Sequence, residues 1–264
     1  MSGAVVHAGL VAVLAVAAAL PARGWSTEGD QSAAHEHARA VVLAPGYADL
    51  EFEPPAAGGY ALPALGYAAD GAVIDLAGVP RRLHDFLGDK IVVLSFIYTI
   101  CTDVNGCPLA THVLRGLQDH IAASHDLHDQ VRLVSFSFDP THDTPAVLRD
   151  YSRYFKQPDF DWQFLTCDSE QTLDPVLHDY DQWVIKDYDA EGNFLGTMSH
   201  VLRVYLIDRQ RRIRNIYSVS FLHADTIGND IRTLLLEESM ETGMEKSMEN
   251  TTGNFPGPTV VPGR

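Results

Sequence analysis

Residues 91–108 read IVVLSFIYTICTDVNGCP, and the three parts of this stretch make different physical demands. Residues 91–98 are an unbroken β-branched and aromatic run, the pattern of a strand buried on both faces. Cys101 to Gly106 is short and polar, and its Asn105-Gly106 pair favours a tight turn. Proline is favoured in the first helical turn, so Pro108 predicts a helix with Cys107 at its N-cap. From Pro108 to Ala123 the residues Leu109, Val113, Leu117 and Ile121, with Leu114 beside them, share one helical face. Both cysteines therefore belong to a strand-to-helix loop, where backbone polar groups face outward and sites are built.

Downstream the same alternation continues. A second buried strand is expected over 131–138, a helix over 145–155 with Thr144 as its N-cap, and a short strand over 160–166. A helix over 169–182 is expected to start late or break at Pro175. Strands over 201–207 and 213–219 flank the polar turn Asp208-Arg209-Gln210-Arg211-Arg212 and should pair antiparallel, and a helix over 224–237 closes the domain. Upstream, two apolar segments within 60–76 are split by Asp70-Gly71, which predicts a hairpin there. The fold class is α/β: a thioredoxin-like central sheet with flanking helices, an N-terminal hairpin, and a C-terminal β-hairpin plus helix.

Four regions follow. Residues 1–24 are nearly all apolar up to Pro21 and read as a signal peptide or membrane anchor; residues 25–59 are a linker and extended arm. Residues 60–238 form the folded domain, and 239–264 are a flexible tail. The expected location is exported, periplasmic or anchored on the outer face of the inner membrane through the N-terminus. Acidic residues outnumber basic ones 35 to 19, for a formal charge of -16, which argues against nucleic acid as a partner because phosphate binding needs clustered Lys and Arg.

Three cysteines, two of them in one short segment, do not make a scattered disulfide framework. A sulfur at the start of a helix lies near free N–H groups and the positive end of the helix dipole, which favours thiolate, the form that binds metal and attacks disulfides. Cys101 and Cys107 thus suit a copper ion or a redox pair; a structural disulfide or two inert thiols is the alternative. Two thiolates leave a copper site incomplete, and His200, expected beside the cysteine loop in a thioredoxin-like topology, is the candidate third ligand. Read without the fold, it is an ordinary surface histidine. His35 and His37 read as solvated linker, Met240, Met244 and Met248 as packing on an extended last helix rather than a thioether copper site, and Cys167 as a buried structural thiol.

At these residues the chain resembles the Sco/SenC family of copper-binding thioredoxin-like proteins. The likeness rests on Phe96-Ile97-Tyr98-Thr99, the loop into Cys107-Pro108, Ser137-Phe138-Asp139-Pro140 with Asp143-Thr144-Pro145, and Ser199-His200 ahead of Val204-Tyr205-Leu206-Ile207-Asp208. It implies that Cys101, Cys107 and His200 take the three copper-ligand positions, and that the Asp139 to Pro145 segment shapes the neighbouring loop and helix start. It also implies a chaperone for a copper centre such as that of cytochrome c oxidase, with an oxidase subunit as the acceptor. Five residues stand between the cysteines, where the usual family pattern has three. The alternative activity is a thiol-disulfide oxidoreductase in which Cys101 and Cys107 are the catalytic pair and reduce partner cysteines before metallation. A purely structural interaction domain is the third class, and a peroxidase is disfavoured because no Arg lies within residues 98–111.

Overall fold

The structure, a computed structural model, describes residues 41–252; the segment 1–24, His35 and His37, the residues from 253 on, and the side chains of Met244 and Met248 lie outside the described residues. In chain order the strands are β1 (Gly66–Tyr67), β2 (Ala72–Ile74), β3 (Pro80–Arg82), β4 (Ile91–Ile97), β5 (Val131–Ser137), β6 (Trp162–Leu165), β7 (Val184–Tyr188), β8 (Phe194–His200), β9 (Val204–Ile207) and β10 (Arg212–Tyr217). The α-helices are α1 (Cys107–Ala122), α2 (Pro145–Ser152), α3 (Glu170–Asp179) and α4 (Ala224–Thr252).

Every residue of β4 is buried, as an apolar run without alternation requires of a strand covered on both faces. It lies at the centre of a six-stranded sheet of order β1-β10-β9-β4-β5-β6. Its partner β5 runs parallel from Ile91↔Val131 to Ile97↔Ser137, while β9 runs antiparallel on the other side. Alternate side chains of β4 feed two cores. Ile91 and Val93 pack with Leu109, Val113 and Leu117 of α1 and with Ile227, Ile231 and Leu234 of α4. Val92, Leu94 and Phe96 pack with Leu173, Val176 and Leu177 of α3 and with Leu83. Burying side chains of this size stabilises by about 1.5–3 kcal/mol each, so the helices are held on the sheet by these two apolar layers.

Local signals set the helix starts. Thr144 caps α2 by accepting from the Val147 N–H, and Ser169 caps α3 by accepting from Thr172 N–H. Helix α3 neither starts late nor breaks at Pro175; it runs through it, and the missing N–H removes only the bond to the carbonyl one turn earlier. Helix α4 continues past residue 237 to Thr252, because residues 238–252 are rich in Glu and Met and contain no proline.

Two further elements differ from expectation. The N-terminal hairpin pairs β2 with β3, turning over Asp75 to Val79, whereas β1 pairs with β10. Gly71 does not make a hairpin turn. A Cβ there would stand 2.2 Å from Val176 Cγ2, so glycine is needed for close approach to α3. Residues 184–200 form the β7–β8 hairpin, a separate two-stranded sheet absent from the sequence reading, and the strand expected over 201–207 is confined to β9.

Candidate metal centre

The cysteine loop begins where β4 ends. Its first anchor is Asp143, whose side chain is fully buried and whose Oδ2 accepts from the Thr99 backbone N–H at 3.0 Å and from Ser137 Oγ at 2.6 Å. Oδ1 of the same carboxylate accepts from Thr99 Oγ1 at 2.5 Å and meets His142 Nδ1 at 2.9 Å. The loop start, two residues ahead of Cys101, is thus fastened to the segment that follows β5. Turns then shape the loop: Cys101 N–H donates to Tyr98 O at 3.3 Å, and Gly106 N–H to Asp103 O at 2.9 Å.

Gly106, not Cys107, is the N-cap of α1, and Cys107 is the first helical residue, followed by Pro108. A side chain at 106 would press on Asp103, its Cβ 3.2 Å from the Asp103 carbonyl oxygen, which leaves the cap to glycine and moves the cysteine inward. Cys107 is buried and Cys101 half-buried. The Tyr98 N–H points at Cys107 Sγ at 3.4 Å.

His200 is the last residue of β8, so the β7–β8 hairpin, rather than a loop before β9, carries it to the cysteines. Its Nε2 lies 3.5 Å from Cys107 Sγ across 93 residues of sequence. The ring is held by aromatic neighbours: Phe138 at 4.8 Å between centroids and Tyr98 at 6.2 Å edge-on. Those two rings are themselves adjacent, 5.1 Å apart, because the parallel register Ile97↔Ser137 makes Tyr98 and Phe138 the next residues along neighbouring strands. Tyr98 also ties the hairpin down, its hydroxyl accepting from Met198 N–H at 3.3 Å and donating to Met198 O at 3.5 Å. The sequence alone shows Tyr98 and Phe138 each as the end of a buried run and part of a family-like segment; the strand register is the signal that joins them.

The ligand atoms of Cys101, Cys107 and His200 all lie within 4.8 Å of one another, and no other such group of His, Cys, Asp and Glu occurs among the described residues. A soft divalent or monovalent ion held at about 2.0–2.3 Å from each ligand needs them about 3.5–4 Å apart. Small side-chain rotations meet that requirement, and two sulfurs with one imidazole suit copper or zinc. His200 Nδ1 is buried without a hydrogen-bonding partner among the described residues, so the ring has no polar contact competing for its orientation toward the sulfurs.

The electrostatics divide the two thiols. The hydrogen bond from Cys107 is the main cause that lowers Cys101 to a pKa of about 4, with His200 and backbone donors adding to it and burial opposing it. Cys107 moves the other way, raised by its bond to the Cys101 sulfur, by burial and by the negative charge beside it. The sequence reading placed the thiolate at Cys107; the structure puts it on Cys101, because the first helical turn is buried while the loop reaches water. Cys167 is buried and raised to about 12 by burial, donates to Ala72 O at 3.3 Å, and lies apart from the cluster.

This division predicts how the reduced protein meets an alkylating agent. A thiol lowered to about 4 is fully thiolate across pH 6–8, so Cys101 should react with iodoacetamide at a rate nearly independent of pH in that range. An ordinary thiol near 8.5 instead gains about tenfold per pH unit. Peptide mapping should find Cys101 modified first at pH 6, at least about tenfold ahead of Cys107 and Cys167. A Cys101 rate that climbs tenfold per unit would show that its proton is not held this way.

A cavity of about 360 Å³ lies beside the cysteine loop, lined by Tyr98, Cys101, Cys107, Pro108, Tyr151 and Phe155 among others.

A family model described as SCO1/SenC matches residues 69–236. The SCO1 protein homolog of Bacillus subtilis (strain 168) is 24% identical over 148 residues, 56% of this chain and 72% of that protein. A solved SCO1/SenC family lipoprotein from Bacillus anthracis str. Ames is 26% identical and covers 67% of this chain and 99% of its own, with a TM-score of 0.55. Arabidopsis thaliana ScoI, solved with copper bound, shares the fold at a TM-score of 0.55 and 21% identity, covering 65% of this chain and 99% of its own.

Proposed function

Because the chain belongs to the SCO1/SenC family, we propose that it binds one copper ion through Cys101, Cys107 and His200 and delivers it to a copper centre under assembly. The observation that carries this reading is the convergence of two sulfurs and one imidazole nitrogen within 4.8 Å, from two distant parts of the chain. Soft thiolates with imidazole select copper or zinc over magnesium and calcium, and copper bound to the Arabidopsis relative supports the choice between those two. Copper is the cargo, so its hold must be reversible. Cys101, the outer and anionic sulfur, is the ligand an acceptor reaches first, while Cys107 and His200 retain the ion during exchange. The acceptor we favour is a cytochrome c oxidase subunit, the partner implied by the family resemblance. Export and tethering by residues 1–24 fit this role, and the Bacillus anthracis relative is itself a lipoprotein. No helix among the described residues is long and apolar enough to cross a membrane.

A second reading has its own support. One sulfur poised as thiolate beside a protonated neighbour is the arrangement of an attacking and a resolving cysteine, so thiol-disulfide exchange with partner cysteines is the alternative.

Anaerobic titration of the reduced full chain with Cu(I), and separately with Cu(II), tests the first reading. One equivalent should bind in each case, Cu(II) with a sulfur-to-copper charge-transfer band, and prior blocking of the thiols with iodoacetamide should remove both. Absence of stoichiometric binding, or binding indifferent to the block, would sink it.

A further inference from the structure

Five residues separate Cys101 from Cys107, and a loop of that length has many conformations in which its two sulfurs do not meet. The segment that precedes β1 supplies the missing constraint. Asn105, in the middle of the loop, uses both ends of its side-chain amide on this segment: Nδ2 donates to Val42 O at 2.9 Å and Oδ1 accepts from Ala44 N–H at 2.8 Å. Next to it, Tyr47 donates its hydroxyl to the Val104 carbonyl at 2.5 Å.

The segment is itself firmly seated. Gly46 is buried so close to the body of the fold that a Cβ would lie 2.2 Å from Leu222 O and 2.9 Å from Val113 Cγ2. The Tyr47 ring packs on His112 of α1 at 4.8 Å. His223, whose Nδ1 accepts the Asp225 N–H, donates from Nε2 to Ala48 O at 2.9 Å. Ala44 is buried with the α1 and α4 core. A strap anchored on α1 and on the start of α4 thus grips the two loop residues directly ahead of Gly106.

We propose that Tyr47 and Asn105 are positioning residues of the two-cysteine centre: through the strap they hold the inter-cysteine loop in the conformation that keeps Cys101 within reach of Cys107. They touch neither the ion nor the sulfurs. Their effect is on effective concentration, because the loop's freedom is removed before a metal or a disulfide forms rather than at that moment. Both outcomes need the sulfurs together, so loosening the strap weakens both by a similar factor. The inference deepens the copper reading and rests on it for its copper half alone.

The test uses the full chain and two variants, Asn105→Ala and Tyr47→Phe, the second keeping the ring on His112. In the first measurement, without copper, each protein is equilibrated anaerobically with glutathione and glutathione disulfide. Cys101 and Cys107 close one disulfide as one glutathione disulfide is reduced to two glutathiones, and the equilibrium constant reports how well the loop presents the sulfurs. The expected fall is about three- to tenfold for Asn105→Ala and about two- to threefold for Tyr47→Phe, the scale of two and of one lost hydrogen bond. Thermal unfolding of Tyr47→Phe should stay within about 2–4 °C of wild type, so that the shift is not a loss of fold. In the second, competition with a chromogenic Cu(I) chelator should show affinity reduced by the same factors. Wild-type disulfide equilibria in both variants would overturn the proposal, and so would a rise, which would mean that the strap holds the sulfurs apart. If the wild-type chain takes up no copper, the copper reading fails by itself and the glutathione measurement still decides the role of the strap.

Discussion

Replacing His200 with alanine should lower copper affinity by on the order of 100-fold or more, since loss of a mere outer partner of a metal ligand already costs 10- to 100-fold. The same variant should exchange disulfides with small thiols within about threefold of wild type, because exchange needs a thiolate and its neighbour and no imidazole. The fold should survive. His200 ends an exposed hairpin, its Nδ1 forfeits no hydrogen bond, and only ring contacts with Phe138 and Tyr98 are lost. What Cys107 Sγ loses is the Nε2 contact at 3.5 Å. Parallel Cu(I) competition and glutathione equilibration on one preparation separate the two readings of the centre. Tight one-to-one copper binding in the variant would remove His200 from the ligand set. A collapse of exchange together with copper would instead mean that the ring serves to position the sulfurs.

What could be read in advance follows the distance over which each constraint acts. Strand β4, the loop and α1 lie within a few turns of chain, and their apolar run, turn pair and proline each specify local backbone, so both cysteines were placed from residues 91–123 alone. His200 has no local mark. It reaches the sulfurs on a hairpin whose outer face stays wet: Ile185 is 66% exposed and Tyr188 56%, so the burial alternation that reveals a half-buried strand is missing from β7. Its expected place in a thioredoxin-like topology and the family-like segment Ser199-His200, not periodicity, point to it. The charge on the sulfurs was misassigned for a related reason. Proximity to a helix start favours thiolate, but Cys107 sits buried inside the first turn, and its bond to the Cys101 sulfur, followed by desolvation, keeps its proton on against the dipole. Burial of one atom is a tertiary fact.

The largest loss of stability from a single change at the centre is expected at Asp143. Its carboxylate is fully enclosed and meets two polar partners at each oxygen, so Asp143→Ala leaves the half-buried Thr99 N–H and the buried Ser137 hydroxyl without acceptors. Orphaned donors cost about 1–3 kcal/mol each, which gives about 2–6 kcal/mol for the two and a fall in Tm of roughly 2–4 °C per kcal/mol lost. The asparagine variant should behave differently, because the four contacts are not equivalent. Oδ2 receives the Thr99 backbone N–H, which cannot reverse, whereas Oδ1 meets Thr99 Oγ1 and His142 Nδ1, a hydroxyl and an imidazole nitrogen that can each accept. An amide with its oxygen at the first position and its NH₂ at the second keeps every partner, so Asp143→Asn should lose only about 1 kcal/mol. Chemical denaturation of both variants reads the difference. If asparagine is as damaging as alanine, the negative charge itself holds the cysteine loop to the segment after β5; if alanine costs under about 1 kcal/mol, Thr99 is anchored elsewhere and this carboxylate does not fix where Cys101 begins.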